Sequence, residues 1–407
     1  MSVRILRLAA GGDGVGKLED GRTVFVPRTA PGDLVTLRRV RPAKRFVRAW
    51  VDQLLEPSPD RVEPRCPHYV ADDCGGCQLQ HLAYGAQLAA RRSFVGDALR
   101  RLARLDADDP PIEAAERQFD YRAKLTLQVA DGGRRIGLRR YGRPDQVFDL
   151  AWCHITESAL MALWQAVRPH RRLLPPNLEQ VLLRLDREGG RHLVAKVRGT
   201  EVWTRARELA RVLAGVGQAA TLWWHPEGGA PRVVAGALPG ALHVGVFEQV
   251  NPEMGDRVRR FAVASLGPVA GARVWDLYAG IGETTAQLAA AGAVVESVEL
   301  DARAVAYAEA TGPAARRLAG RAEDLLGRLA PPDAVITNPP RTGMDERVVA
   351  ELARRAPGRI VYVSCDPATL ARDLVRLGPG YRLGEVRACD LFPQTAHVET
   401  VAVVERA

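Results

Sequence analysis

The amino-acid sequence predicts an α/β protein built around a doubly wound parallel sheet, joined to a small β-barrel and a mixed α+β segment. From about residue 241 to 407, short apolar strands alternate with helical patterns, which is typical of such a sheet. Residues 1–58 contain strand-like runs punctuated by glycine and proline, as expected for a five-stranded barrel of the oligonucleotide-binding type. Residues 59–240 mix both patterns and form the predicted central domain.

Length and composition limit the class of protein. The 407 residues are enough for two or three domains. Hydrophobic residues make up 47% of the chain, yet no apolar run reaches the roughly 18 residues that a membrane span requires. The N-terminal residues lack the continuous apolar core of a signal peptide. We therefore expect a soluble, cytoplasmic monomer that acts away from membranes.

The basic residues are concentrated near the N-terminus. Lys and Arg outnumber Asp and Glu by 57 to 48, for a formal charge of +9. This excess alone is also what an arginine-rich genome composition would give. However, the segment from Thr36 to Arg48 carries six basic residues and no acidic one, and Trp50 follows it. Clustered cations beside an aromatic ring suit contacts with phosphate groups, so a polyanionic partner is expected; the family resemblance described below implies that this partner is RNA.

Strands and one long helix are predicted before the parallel sheet. The barrel strands are predicted at Val3–Leu8, Arg22–Val26, Leu34–Val40 and Phe46–Leu55. The glycine-rich run 11–16 is predicted to be a turn, because no helical pattern follows it. A helix is predicted over Gln78–Leu105, with arginines 91, 92, 100, 101 and 104 facing solvent or RNA. Further strands are predicted at Tyr121–Val129, Val181–Leu185 and His192–Val197, and the pair Trp223-Trp224 is expected to pack in a core or domain interface.

Candidate ligand-binding residues follow the strands of the parallel sheet. These strands are predicted at Arg273–Leu277, Val294–Glu299, Ala334–Thr337 and Ile360–Ser364, with two more near the C-terminus. Ligands of such sheets bind beyond the carboxyl ends of the strands. The loop Asp276–Gly282 and Glu299 both stand there, as in nucleotide-type cofactor sites, where an acidic residue accepts hydrogen bonds from ribose hydroxyls. Thr285 replaces the third glycine of a dinucleotide fingerprint, so S-adenosylmethionine is favoured over a nicotinamide cofactor.

Two further strand ends carry chemistry-bearing residues. Asn338-Pro339-Pro340-Arg341 resembles the motif with which amino-group methyltransferases hold an exocyclic amine, except that arginine stands where an aromatic residue is usual. Cys365 follows the strand that ends at Ser364 and precedes a helix, so we expect a nucleophilic thiol with a lowered pKa. Glu399 precedes the last apolar run and would lie on the rim of the same crevice.

Taken together, these motifs resemble those of the RNA uracil-C5 methyltransferases, in the branch with a TRAM domain and an iron–sulfur cluster. The resemblance covers the whole chain. Besides the Asp276–Gly282 and Asn338–Arg341 loops, it rests on Phe247-Glu248-Gln249-Val250-Asn251, Tyr362–Asp373 and Asp390–Glu399. It implies a Rossmann-like class I methyltransferase domain, with the N-terminal barrel as a TRAM domain.

The resemblance also implies roles for single residues. Gln249, Tyr278, Glu299 and Asn338 would bind S-adenosylmethionine, Cys365 would be the nucleophile, and Glu399 the base. The family usually has Asp where this chain has Asn338, so a charge near the cofactor's sulfonium is missing. Glu283 also departs from the family, whose members often carry an amide or hydroxyl side chain there.

Four other cysteines form a candidate metal centre. Cys66, Cys74, Cys77 and Cys153 could supply four thiolates to zinc or to an iron–sulfur cluster, and their spacing does not decide between the two. A disulfide or a Cys-Gly-Gly-Cys redox motif is the weaker reading in a cytoplasmic chain. The resemblance favours [4Fe–4S], in a structural or RNA-positioning role. Cys389 is then left over, as an apolar core residue.

The predicted function is methylation of carbon 5 of a uridine, with 23S ribosomal RNA as the first choice and tRNA as the alternative. Two readings from other classes remain open at this point. An amino-group methyltransferase would use Asn338-Pro339-Pro340 and need no thiol. A non-catalytic RNA-binding factor would need neither.

Overall fold

The computed structural model describes residues 1–237, 245–246 and 248–407, which form two compact units. Unit 1 comprises the described residues of Met1–Tyr84, Arg117–Gly245 and Pro393–Ala396. Unit 2 comprises those of Gly85–Glu116, Val246–Phe392 and His397–Ala407. The units therefore do not follow chain order, whereas the boundaries predicted at residues 58 and 240 do. Residue 240 lies outside the described residues, and both boundaries stay predictions.

Unit 1 begins with the closed barrel that the sequence predicts. Its order is β1-β2-β3-β5-β4. The strands are β1 (Ser2–Leu8), β2 (Gly14–Lys17), β3 (Thr23–Val26), β4 (Leu34–Pro42) and β5 (Phe46–Glu56). Alternate apolar residues such as Val3, Ile5 and Val24 fill the interior, as the period of two requires.

The prediction of a turn over residues 11–16 is wrong in its second half, which is strand β2. A β-carbon on Gly14 would lie 2.0 Å from the Thr29 hydroxyl oxygen, and one on Gly16 would lie 2.6 Å from Val3 Cγ2. These glycines are therefore needed because neighbouring strands leave no room for a side chain, rather than for turning the chain.

Two helices and a short strand follow the barrel: α1 (Pro67–Ala71), α2 (Tyr84–Arg101) and β6 (Ile112–Glu113). Helix α2 is shorter than the predicted 78–105 at both ends, and the backbone N–H groups of Gln78 and Leu79, which lie before it, donate to Gln394 O. The prediction that Arg91 faces solvent or RNA is wrong. Its side chain is fully buried, with Nη1 3.4 Å from Asp390 Oδ1, whereas the other four arginines of that set are exposed.

The remainder of unit 1 is a seven-stranded sheet with two helices packed against it. Its order is β13-β12-β11-β10-β7-β8-β9, antiparallel except between β11 and β12. The elements are β7 (Lys124–Ala130), β8 (Arg135–Arg140), β9 (Arg143–Asp149), α3 (Ser158–Val167), β10 (Leu178–Leu185), β11 (Arg191–Val197), α4 (Ala206–Gly215), β12 (Thr221–His225) and β13 (Arg232–Ala235). Trp223 and Trp224 are buried in β12, in agreement with the packing role expected for them.

Unit 2 contains the predicted doubly wound sheet, in the order β16-β15-β14-β17-β18-β20-β19-β6. Its strands are β14 (Arg273–Leu277), β15 (Val294–Glu299), β16 (Arg316–Ala319), β17 (Ala334–Thr337), β18 (Arg359–Ser364), β19 (Tyr381–Cys389) and β20 (Glu399–Arg406). Its helices after α2 are α5 (Pro252–Ala264), α6 (Glu283–Ala290), α7 (Ala302–Thr311), α8 (Ala322–Leu325), α9 (Glu346–Arg355) and α10 (Pro367–Leu377). The Rossmann-like fold class is thereby confirmed.

Both faces of this sheet are covered, which explains the continuous apolar runs of its strands. Val274 and Val361 pack on one face with residues of α5 and α6. Trp275 and Ile360 pack on the other face with residues of α8, α9 and α10. Among the described residues, no helix is both long and apolar enough to cross a membrane.

Candidate active site

The site lies at one edge of the unit 2 sheet, where five parallel strands, including β16, end and one antiparallel strand begins. Strands β14, β15, β17 and β18 are parallel, so their carboxyl ends meet at this edge. Strand β20 runs antiparallel to β18, with Ser364 opposite Thr400. The amino end of β20 therefore lies beside the carboxyl end of β18, and Glu399 comes next to Cys365.

Cys365 stands between strand β18 and helix α10. The carboxylate of Asp366 caps the helix, because Oδ1 accepts hydrogen bonds from the backbone N–H groups of Ala368 and Thr369 at 2.9 and 3.1 Å. Cys365 is half-buried, directly before the cap, so the thiol is held at a helix start. This placement follows the sequence prediction.

The expectation of a lowered pKa for Cys365 is wrong in the protein without ligand. Burial raises the pKa of the thiol, and the nearby carboxylate of Glu399 raises it further. The guanidinium of Arg341 acts in the opposite direction. The helix start alone therefore does not produce a thiolate here.

Glu399 is buried more deeply than its predicted place on a rim implies. Its exposed fraction is 2%. Burial raises its pKa to about 8, and the positive charge of Arg341 partly opposes this rise. A carboxyl group with such a pKa can both hold and accept a proton near neutral pH, which general acid–base catalysis requires.

The loop after β14 has the backbone of a cofactor-binding turn. Tyr278 adopts a positive φ of 62°, which is uncommon for a residue other than glycine. Its N–H donates to Val298 O at 2.9 Å, and burial raises the pKa of its hydroxyl. Gly282 precedes helix α6 with a φ of 82°, and a β-carbon there would lie 3.0 Å from Ala308 Cβ.

Glu299 ends β15, as predicted, and holds this loop. Its carboxylate accepts hydrogen bonds from the N–H groups of Gly280 at 2.9 Å and Asp301 at 2.8 Å. A carboxylate has further lone pairs, so these two bonds leave capacity for a ligand's hydroxyl groups.

Asp276 and Thr285 form a buried pair beneath the loop. The Thr285 hydroxyl donates to Asp276 Oδ2 at 2.6 Å. Burial raises the pKa of Asp276 to about 7, although the hydrogen bonds from Thr285 oppose this. In the sequence, Thr285 was only evidence against a dinucleotide fingerprint. In the structure, its hydrogen bond to Asp276 helps to hold the loop that follows β14.

Gln249 lies before helix α5 in a segment fixed by Asn251. The Asn251 side chain accepts from Met254 N at 3.3 Å and donates to Leu391 O at 3.2 Å. Gln249 packs against Gly255, where a β-carbon would lie 3.0 Å from Gln249 Cβ. Phe247 of the same motif lies outside the described residues.

The two departures from the family pattern have different surroundings. Asn338 is exposed after β17, and its N–H donates to Leu277 O at 3.2 Å. Glu283 forms an ion pair with Arg259 at 2.9 Å. Sequence reasoning assigned no role to Arg341, yet its charge acts on both Cys365 and Glu399 and its Nη2 lies 3.4 Å from His397 Nε2. The sequence feature that could have indicated this role of Arg341 is a basic residue directly after two prolines at the end of a strand.

The four cysteines of unit 1 share one buried region. Cys66, Cys74 and Cys77 are buried and Cys153 is half-buried, and none forms a disulfide. Burial raises the pKa of Cys74 to about 12, and charges on Cys153 and Cys66 would raise it further. Within the described part of the chain, no group of three or more His, Cys, Asp or Glu residues is arranged to hold a metal ion. Cys389 is fully buried in β19.

The sheet order, the glycine loop after β14 and Glu299 at the end of β15 are typical of class I methyltransferases that use S-adenosylmethionine. The family model described as TRAM domain matches residues 1–46. The family model described as tRNA (Uracil-5-)-methyltransferase matches residues 331–407. An uncharacterized RNA methyltransferase of Thermosynechococcus vestitus is 33% identical over 99% of this chain and 97% of its own length. The chain belongs to the RNA uracil-C5 methyltransferase family.

A further relative agrees with this assignment, and a solved structure shares the fold. The 23S rRNA (uracil(1939)-C(5))-methyltransferase RlmD of Ralstonia nicotianae is 33% identical over 97% of this chain and 96% of its own length. The crystal structure of Pyrococcus abyssi tRNA (uracil-54, C5)-methyltransferase with S-adenosyl-L-homocysteine superimposes with a TM-score of 0.74. It covers 99% of each chain at 24% identity, which shows a shared fold.

The pKa of Glu399 predicts a pH-dependent stability difference. The folded state keeps the proton up to about pH 8, whereas the unfolded chain releases it near 4.5. The folded state therefore loses stability as the pH rises between these values. The variant Glu399→Gln lacks this loss, so its thermal unfolding midpoint should rise relative to wild type between about pH 5 and about pH 8. Glu346→Gln, at an exposed glutamate of α9, serves as the control; an equal effect in both variants would contradict the prediction.

Proposed function

We propose that this protein methylates carbon 5 of a uridine in 23S ribosomal RNA, with Cys365 as nucleophile and Glu399 as base. The observation that carries the mechanism is the register of β18 with β20, which brings these two residues to one edge of the sheet. The ribosomal target is supported by the relatives named RlmD, at 31–33% identity over nearly the whole chain. Transfer RNA is the alternative target.

The chemistry explains why a thiol and a carboxyl group are needed. Carbon 5 of uracil is a weak nucleophile, so the Cys365 thiolate adds at carbon 6 and the electron pair moves toward carbon 5. S-adenosylmethionine, when bound, would supply the methyl group to carbon 5 and would leave as S-adenosylhomocysteine when its sulfur–methyl bond breaks. Glu399 then removes the proton from carbon 5, and the carbon–sulfur bond breaks to restore the ring and release Cys365.

The surroundings of the two residues suit this sequence of steps. Glu399 is buried and its pKa is about 8, so the group that accepts the carbon-5 proton is shielded from bulk water. The pKa values of Cys365 and Glu399 are both raised, so the thiol must release its proton to solvent before it adds to carbon 6, and Glu399 must be ionised before it accepts the proton from carbon 5. The target base must also leave its stack before carbon 6 can reach a half-buried thiol.

The cofactor would be held by the loops around β14 and β15. Tyr278 and the Gly280–Gly282 turn offer backbone and ring contacts, and Glu299 would accept from ribose hydroxyls while it holds the loop. Gln249 and Asn338 complete the proposed set. Asn338 can donate or accept a hydrogen bond but brings no charge to the sulfonium.

We also propose that Cys66, Cys74, Cys77 and Cys153 hold a [4Fe–4S] cluster, with zinc as the alternative. The buried, mutually interacting thiols support a bound cation, since four neighbouring thiolates repel one another without one. Backbone N–H groups of His68, Tyr69 and His154 face Cys66, and that of Gly76 lies 3.4 Å from Cys74 Sγ. Such N–H donors stabilise thiolate ligands.

The nucleophile assignment is tested by Cys365→Ala. Because no other group replaces the thiol, methyl incorporation into unmodified 23S ribosomal RNA should fall by at least about 10³-fold. Binding of S-adenosylmethionine, measured by calorimetry, should be unchanged. Cys389→Ala, which removes a buried thiol of the same sheet, should retain turnover. Full turnover in Cys365→Ala would instead favour an amino-group methyltransferase.

The base assignment is tested by Glu399→Gln. Without a proton acceptor at carbon 5, elimination stops after methyl transfer and the protein stays bonded to carbon 6 of the target. A covalent protein–RNA adduct should accumulate on denaturing gels and carry label from the methyl group of S-adenosylmethionine. Loss of labelled adduct in the double variant with Cys365→Ala is the control. Normal turnover without any adduct would show that another group removes the proton.

The cluster proposal predicts the metal content of protein prepared without oxygen. The sample should be brown and contain about four iron and four sulfide per chain. Cys74→Ala should lose most of the iron, whereas Cys389→Ala should keep it. A colourless preparation with one zinc and no iron would establish the alternative, and a metal-free preparation would contradict both.

A further inference from the structure

The loop that follows β17 carries Arg341 to the active site through a tight turn. The N–H of Gly343 donates to Pro340 O at 2.8 Å, so residues 340–343 form a β-turn with Arg341 at its second position. The Arg341 side chain is exposed except for its contact with His397. Its position therefore depends on how this turn is fastened to the rest of unit 2.

Asp373 of helix α10 fastens the turn. Its side chain is fully buried, and Oδ2 accepts hydrogen bonds from Met344 N and from the Tyr362 hydroxyl, both at 2.8 Å. Oδ1 accepts from Arg372 Nε at 2.9 Å and Nη2 at 2.8 Å. One carboxylate thus joins the end of the turn, strand β18 and helix α10. Such charge-assisted bonds to a buried carboxylate are strong and directional.

A second contact holds the same turn. Arg372 Nη2 donates to Thr342 O at 2.7 Å while it binds Asp373. Gly343, with a φ of 76°, lies so close that a β-carbon would be 2.3 Å from Arg372 Nη2 and 2.6 Å from Asp373 Oδ2. The turn is therefore packed directly on the Asp373–Arg372 pair, with no space for a side chain between them.

The charge of Arg341 matters for both reacting groups. The charged groups that act on the Cys365 thiol are Glu399 on β20, Asp366 at the start of α10 and Arg341 on the turn. Glu399 and Asp366 raise the thiol pKa, and Arg341 lowers it. Arg341 also lowers the pKa of Glu399. Displacement of the turn would remove this positive charge from nucleophile and base together.

We propose that Asp373 is a positioning residue for the active site, because its carboxylate holds the 340–344 turn on helix α10 and so keeps the Arg341 guanidinium beside Cys365 and Glu399. This inference rests on the proposed roles of those two residues. Asp373 touches neither substrate nor cofactor in this account, and acts through Arg341.

The test measures the rate of Cys365 alkylation by iodoacetamide against pH in the full-length protein, with the modified peptide quantified by mass spectrometry. Arg341→Gln should move the midpoint upward by up to about one pH unit, because a nearby positive charge is lost. Asp373→Asn should move it in the same direction. The double variant should shift no further than Arg341→Gln alone, because both changes remove the same interaction.

Two variants guard against a merely structural effect. Arg372→Gln, at a partly exposed side chain, removes the bond to Thr342 O and should give a smaller upward shift, so the proposal is still tested if Asp373→Asn fails to fold. Glu351→Gln breaks the pairs with Arg354 and Arg355 on α9 and should leave the midpoint unchanged.

Three results would overturn the proposal. The first is an unchanged alkylation midpoint in Arg341→Gln. The second is a changed midpoint in Arg341→Gln with unchanged midpoints in Asp373→Asn and Arg372→Gln, and the third is additive shifts of the midpoint in the double variant. Failure of the proposed function is recognised separately, since it shows as methyl transfer that survives Cys365→Ala. The alkylation midpoints are read from the thiol itself and do not depend on turnover.

Discussion

The antiparallel insertion of β20 between β18 and β19 is the constraint on which the active site depends. A purely parallel sheet brings only carboxyl ends of strands to its ligand-binding edge. Because β20 runs antiparallel to β18, its first residue, Glu399, lies at the same edge of the sheet as Cys365, which follows the last residue of β18. On its other side, β20 pairs with β19, and Cys389 at the end of β19 lies opposite Glu399. The proposed nucleophile and the proposed base, which are 34 positions apart in the sequence, thus become neighbours through the backbone pairing of two strands.

Burial sets the resting state of this pair. Glu399 and Cys365 both hold their protons more tightly than the same groups in water, chiefly because of desolvation. Arg341 offsets part of this effect from an exposed loop. The site therefore combines a buried carboxyl group, whose raised pKa favours its protonated form near neutral pH, with the exposed cation Arg341, which favours its ionised form.

The sequence predicted most of the parallel sheet, and three of its strands have the predicted bounds. Strands buried on both faces read as continuous apolar runs, so their ends are visible in a single sequence. Strand β2 was missed because Gly14 and Gly16 serve close packing, which local patterns do not reveal. The burial of Arg91 depends on Asp390, which is remote in sequence. The raised pKa of Cys365 was likewise not predictable, since burial and Glu399 outweigh the helix start.

Because the short segment Pro393–Ala396 belongs to unit 1, this unit is completed only near the end of chain synthesis. In unit 1, Tyr121 donates from its hydroxyl to Pro393 O at 3.0 Å and Gln78 and Leu79 donate to Gln394 O. Because a chain is synthesised from its N-terminus, these four residues are made after all other residues of unit 1 and after all of unit 2 except His397–Ala407. The cysteine-bearing region next to Gln78 therefore acquires its last hydrogen-bond partners near the end of translation. Neither unit can be produced by cutting the chain once, because each is assembled from three separate segments of the chain.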